Sequence, residues 1–130
     1  MPAFQKALEL GADAIELDVH ATSDGVVVVH HDPTVDRGRG SARMNAAIAD
    51  LTSSELQTVV LADGIGIPTL EGVLDAVGEG PRVYVEIKGK DIEPLVVRCI
   101  RESIANCAVH SFDHRIVQNV KKIFPAIRTG

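Results

Sequence analysis

The chain has 130 residues, 45% of them apolar, and its 13 basic and 18 acidic side chains leave a formal charge of −5. That size and apolar content specify one cored domain and exclude a disordered tail, while the acidic balance, the absence of Trp and the single Tyr give no electrostatic or stacking basis for binding nucleic acid or an anionic membrane. No run approaches the roughly 20 apolar residues that span a bilayer, so a cytoplasmic protein without stable membrane insertion is expected.

The opening "MPAFQKALELG" places Ala3, Phe4, Ala7 and Leu8 at helical spacing and ends on Gly11, which reads as an amphipathic helix over 3–10 and not as a signal peptide. Residues 14–19 alternate Ile15, Leu17 and Val19 with Ala14, Glu16 and Asp18. They form a strand, followed by the turn "TSDG" and a second strand over 26–29. From 36 to 66 the composition shifts to Gly, Ser, Arg and Ala, a connection with one short helix where "LTSSEL" offers a capping box to Glu55. A helix follows over about 69–77, then a third strand in "RVYVEIKG", a helix over about 91–105, a fourth strand around "CAVHSF", and a helix in "HRIVQNVKKIF" stopped by Pro125. Cys99 and Cys107 sit in apolar patterns without ligand or disulfide spacing and read as reduced packing residues.

Strands alternating with helices argue for an α/β fold with a mainly parallel sheet. Such folds carry their chemistry at the C-terminal ends of the strands. Side chains two apart on a strand share a face, so Glu16 and Asp18 stand together opposite Ile15, Leu17 and Val19, and Glu86 repeats the pattern with Lys88 beside it. Alone, the first pair fits a solvated face and Glu86 fits a salt bridge with Lys88. Together, on neighbouring parallel strands, three carboxylates converge, and a hard dication with oxygen ligands relieves their repulsion. Mg2+ or Ca2+ is therefore expected at Glu16, Asp18 and Glu86, ahead of zinc. In "VVVVHHDP" the adjacent His30 and His31 point to opposite sides, so at most one shares the acidic face. His20, His110 and His114 have no partner pattern and read as structural or surface residues.

Four ordered blocks, "GADAIELDVHATSDGVVVVHHDPTVDR", "IPTLEGVLDAV", "VYVEIKG" and "SFD", resemble the glycerophosphodiester phosphodiesterase family from about residue 3 to the end of the chain. The resemblance implies part of a TIM (β/α)8 barrel and a metal site on Glu16, Asp18 and Glu86. It assigns the proton-transfer role to His31 and gives Lys88 contact with substrate phosphate or glycerol oxygens. Arg37 matches an arginine after the HD block, although Gly38 and Arg39 replace the usual Thr-Thr. Asp32 is placed to fix the loop or orient His31, and Ser111, Phe112 and Asp113 match a mostly structural block. The implied reaction is metal-dependent hydrolysis of a glycerophosphodiester to sn-glycerol 3-phosphate and an alcohol, in lipid and glycerol metabolism.

A complete barrel takes about 250 residues, and about four of eight strands are legible here. The family's opening strand with "HRG", its "EN" loop and its C-terminal Trp-containing block have no counterpart. The expectation is an incomplete domain over 1–130, lacking its first and C-terminal strands, with unpaired barrel edges and an open apolar face that favour self-association. It is a fragment, a chain completed by a partner, or a degenerate relative. With one proton-transfer histidine not encoded, the isolated chain is expected to be impaired. Two other readings stand beside it: a related barrel phosphodiesterase of the phospholipase type, and a non-catalytic metal-binding pseudoenzyme fragment.

Overall fold

The computed structural model of the chain describes residues 2–37, 44–61 and 64–130, without the side chains of residues 2–4. The side chains of Ala3 and Phe4, and the Gly38–Arg39 departure from the family pattern, lie outside the described residues. In chain order the elements are α1 (Pro2–Glu9), β1 (Ala14–Ala21), β2 (Val27–Val29), β3 (Thr34–Asp36), β4 (Asn45–Ala47), a 3-10 turn (Ile48–Asp50), α2 (Ser53–Gln57), α3 (Leu70–Val77), β5 (Arg82–Ile87), α4 (Glu93–Glu102), β6 (Cys107–His110), α5 (His114–Ile123) and β7 (Arg128–Thr129). One sheet runs β2-β1-β5-β6-β7, and β3 and β4 form a separate antiparallel ribbon. Within the larger sheet β2 is antiparallel to β1, and the other neighbours are parallel.

This architecture corrects the expected four strands of a barrel truncated at both ends: the described residues form seven strands in two sheets. The four strands read from the sequence are β1, β2, β5 and β6. The additional β3, β4 and β7 are three, three and two residues long, too short for an apolar alternation, and they exist because a neighbouring backbone supplies the ladder. On the outer side of β2, in the segment before α3, the Val29 N–H donates to the Pro68 carbonyl at 2.9 Å and Val28 bridges Thr69.

Odd-numbered residues of β1 and β5, including Leu17, Val19, Val83, Val85 and Ile87, pack with Leu70, Val73 and Leu74 of α3 and with Val96 and Val97 of α4. Val109 of β6 and Val120 of α5 complete this core. The opposite face carries Glu16, Asp18, Tyr84, Glu86 and His110, so it is polar instead of the expected open apolar surface. Residues 36–66 are more than a connection, because Val28, Val35, Ile48, Leu51, Leu56 and Val59 bury one another in a second cluster. The valines of β2 are divided between the two clusters, Val27 and Val29 on one side and Val28 on the other.

The turn between β1 and β2 is built from the "TSDG" residues. Gly25 adopts φ 81°, a left-handed conformation that costs a residue with a Cβ more than glycine. Thr22 Oγ1 accepts the Val26 N–H at 3.0 Å and donates its hydroxyl to Asp24 at 2.6 Å. Asp24 also accepts the Ser53 N–H and hydroxyl at 2.8 and 2.7 Å, which joins the turn to the start of α2. Hydrogen bonds from Thr22 and then Ser53 hold its carboxyl down at about 2. The capping box closes as expected, with Thr52 and Glu55 each accepting the other's backbone N–H. Among the described residues no helix is long and apolar enough to cross a membrane.

Candidate metal centre and active site

Register assembles the site. Asp18 of β1 lies opposite Glu86 of β5, and Glu86 lies opposite His110 of β6. These side chains form a row across three parallel strands near their C-terminal ends, with Glu16 two residues back on the same face of β1. One ligand atom each from Glu16, Glu86 and His110 lies within 4.8 Å of the others. His110 Nε2 is 3.9 Å from Glu16 Oε1 and 3.9 Å from Glu86 Oε2. Lys88, just beyond the end of β5, reaches back over the row: Nζ donates to Glu86 Oε1 at 2.8 Å and stands 3.4 Å from Asp18 Oδ1.

The charges act on one another as this spacing requires. Burial, and after it the negative charges of Asp18 and Glu86, raises the Glu16 carboxyl above its usual range. Burial also pushes Glu86 upward, with its side chain only 8% exposed, but the Lys88 hydrogen bond and charge outweigh this and leave Glu86 below the usual range. The same hydrogen bond raises the Lys88 ammonium. Glu86 is thus the ionised centre of the cluster, with one oxygen toward Lys88 and the other toward His110.

The loop after β2 leaves alongside Asp18 of β1. His30 N–H donates to the Asp18 carbonyl at 3.0 Å, and the buried His20 lies with Nε2 3.3 Å from the His31 carbonyl. Because β2 ends at Val29, strand alternation does not govern where the two adjacent histidines point. The His31 side chain is 77% exposed and pairs Nδ1 with Asp32 Oδ1 at 2.8 Å. An ionised carboxylate only accepts, so Nδ1 carries the proton of this bond and Nε2 is left for exchange. The Asp32 hydrogen bond, followed by the Asp18 charge, raises the His31 imidazole. In Asp32→Asn, His31 is expected to titrate at lower pH, back toward an ordinary histidine. Histidine NMR titration checks this, and an unmoved His31 midpoint would show that Asp32 does not hold the proton.

A sequence model of the glycerophosphoryl diester phosphodiesterase family matches residues 1–124. The chain belongs to this family. A glycerophosphodiester phosphodiesterase from Caldanaerobacter subterraneus subsp. tengcongensis is 35% identical, over 98% of this chain and 58% of that protein. The crystal structure of a glycerophosphodiester phosphodiesterase from Thermotoga maritima superposes with a TM-score of 0.80 at 34% identity, covering 99% of this chain and 53% of its own. A phosphodiesterase from Oleispira antarctica, solved in complex with the product sn-glycerol-3-phosphate, has the same fold at a TM-score of 0.87 and 19% identity, over 99% and 57% of the two chains. The chain therefore spans a little over half the length of each of these proteins.

Of the residues expected to serve this family member's site, Glu16, Asp18, Glu86 and Lys88 come together, whereas Arg37 stands exposed at the end of β3. There its N–H closes the ribbon by donating to the Met44 carbonyl at 2.8 Å, and its charge acts on Glu55. The Ser111 hydroxyl donates to the Ile87 carbonyl at 2.9 Å, and Asp113 caps α5. Phe112 is 87% exposed, with Lys88 Nζ 5.7 Å from its ring centroid. His110 is the residue that sequence reasoning passed over. Its only local signal is that it ends β6 two residues after Ala108, on the face that also carries Glu86.

Proposed function

We propose that this chain carries the metal-dependent glycerophosphodiester hydrolysis of its family, cleaving a diester to sn-glycerol 3-phosphate and an alcohol. The observation that carries the reading is the convergence of Glu16, Glu86 and His110 within 4.8 Å, beside a lysine on the same face. Their spacing fits a hard dication. Ca2+ at about 2.4 Å from each ligand spans donors up to about 4.8 Å apart, and Mg2+ at about 2.1 Å asks them to close by several tenths of an ångström. When bound, such an ion supplies Lewis-acid polarisation of a phosphoryl oxygen and makes a coordinated hydroxyl more acidic.

The residues of the chain do the rest. Glu16, Asp18, Glu86 and His110 are the proposed ligands. Lys88 is the proposed contact for a non-bridging phosphate oxygen, and Arg37 has no proposed part in the chemistry. His31 exchanges a proton at Nε2, with Asp32 fixing the tautomer through Nδ1. The glycerophosphodiester substrate is proposed from the 35% identical Caldanaerobacter glycerophosphodiester phosphodiesterase, and the product sn-glycerol-3-phosphate held by the Oleispira phosphodiesterase of the same fold is consistent with it. The test is incubation with glycerophosphocholine and Mg2+ or Ca2+, with glycerol 3-phosphate measured enzymatically. Release that stops with a chelator and in His31→Ala supports the reading. No release from any glycerophosphodiester, together with no cation binding in calorimetry, would overturn it.

A further inference from the structure

We propose that Lys88 is an internal counter-cation that competes with the divalent ion for Glu86 and Asp18, and that its release to a phosphate couples the two ligands. This rests on the cation-site reading of Glu16, Glu86 and His110 given above. Asp18 belongs to the same row of side chains, yet the ligand atoms that converge are those of Glu16, Glu86 and His110. Asp18 Oδ1 instead faces the Lys88 ammonium at 3.4 Å, and Glu86 Oε1 is taken by the same ammonium at 2.8 Å. One lysine therefore holds an oxygen of Asp18 and the Glu86 oxygen opposite the one that faces His110, and sets a positive charge beside both proposed ligands.

Lys88 also has somewhere else to go. Its backbone is anchored, with the N–H donating to the Val19 carbonyl at 3.2 Å, but its side chain is 30% exposed. On the outer side it meets the exposed ring of Phe112, a face that holds a cation without a formal charge. Swinging out, Lys88 keeps that contact, releases Asp18 and Glu86, and presents its ammonium where a phosphate would lie. Removing a positive charge from the ligands favours the dication, and by linkage the dication favours any anion that draws Lys88 away.

Calorimetric titration of the metal-free chain with MgCl2 and with CaCl2, without substrate, tests this. Lys88→Met is expected to bind cation about tenfold more tightly than the wild type, within the usual span of coupling between sites, and Lys88→Arg to stay near wild type. Added sn-glycerol 3-phosphate is expected to tighten cation binding in the wild type more than in Lys88→Met. A second measurement needs no variant fold: the NMR signals of Lys88 Cε and Nζ in the wild type are expected to shift as cation saturates. Equal or weaker binding by Lys88→Met, or Lys88 signals unmoved while cation binds, overturns the competition and leaves the cation site standing. Absence of cation binding in every protein overturns both.

Discussion

Glu86→Gln is expected to lower divalent-cation affinity by at least about a hundredfold, because even outer-shell partners of metal ligands cost up to that much. Hydrolysis is expected to fall by about three orders of magnitude. Loss of several kcal/mol of charge stabilisation at a phosphoryl group gives that factor at about 1.4 kcal/mol per tenfold. Glu86 lies opposite both Asp18 and His110 and, among the described residues, is the carboxylate that pairs with Lys88 and with His110. Glutamine has the same shape, so the buried side chain still fits. In the metal-free chain the change relieves Glu16 of one neighbouring negative charge while Lys88 keeps Asp18. The melting temperature without metal is accordingly expected to move little, and its rise on adding Mg2+ or Ca2+ to disappear. Calorimetry and thermal melts with and without cation check this. A melting temperature that still rises with cation in Glu86→Gln would remove Glu86 from the ligand set.

Leu74→Ala is expected to destabilise the chain by about 3 kcal/mol, within the range of about 2–5 kcal/mol for truncating a buried leucine. Leu74 is 0% exposed and sits on α3 between the larger sheet and the neighbouring helices. α3 has Thr69 as N-cap, accepting the Gly72 N–H at 3.1 Å, and buries Leu70, Val73, Leu74 and Val77 on one face. A domain of this size has only about 5–15 kcal/mol in hand. At a few degrees per kcal/mol, the melting temperature should fall by about 10 °C. Leu10, 75% exposed, supplies the contrast: Leu10→Ala should stay within about 0.5 kcal/mol. Denaturant titration of both variants decides it, and equal midpoints would mean that α3 does not seal the core.

The acids were legible because strand periodicity is a local property. Glu16 and Asp18 on one strand, and Glu86 with Lys88 just past another, are each two residues apart, and the apolar residues between them identify the face without knowledge of the fold. Convergence was also inferable, since neighbouring parallel strands bring such faces together. His110 was not legible in the same way. Its place beside Glu86 depends on the offset between β5 and β6, which is set by how α4 and its loops return the chain, and no pattern inside "CAVHSF" encodes that offset. The short strands failed for a related reason: Asn45–Ala47 has little strand preference of its own and forms β4 only because Thr34–Asp36 offers a ladder. The same ribbon explains Arg37, which its backbone bond to Met44 holds at β3.

The four consecutive valines at 26–29 contain almost no positional information. Exchanging Val27 or Val29 with Val28 between the two clusters leaves the buried chemistry unchanged, so side-chain identity does not oppose a one-residue slip of β2 along β1. What forbids the slip is the punctuation at its start. Gly25 in its left-handed conformation, the Thr22 bonds to Val26 and Asp24, and the grip of Ser53 on Asp24 fix the count. A slip would carry His31 about 3.3 Å along the strand and turn the loop that bears it. The position of the His31 imidazole along β1 is thus written in a tetrapeptide on the far side of β2, and not in the strand that delivers it.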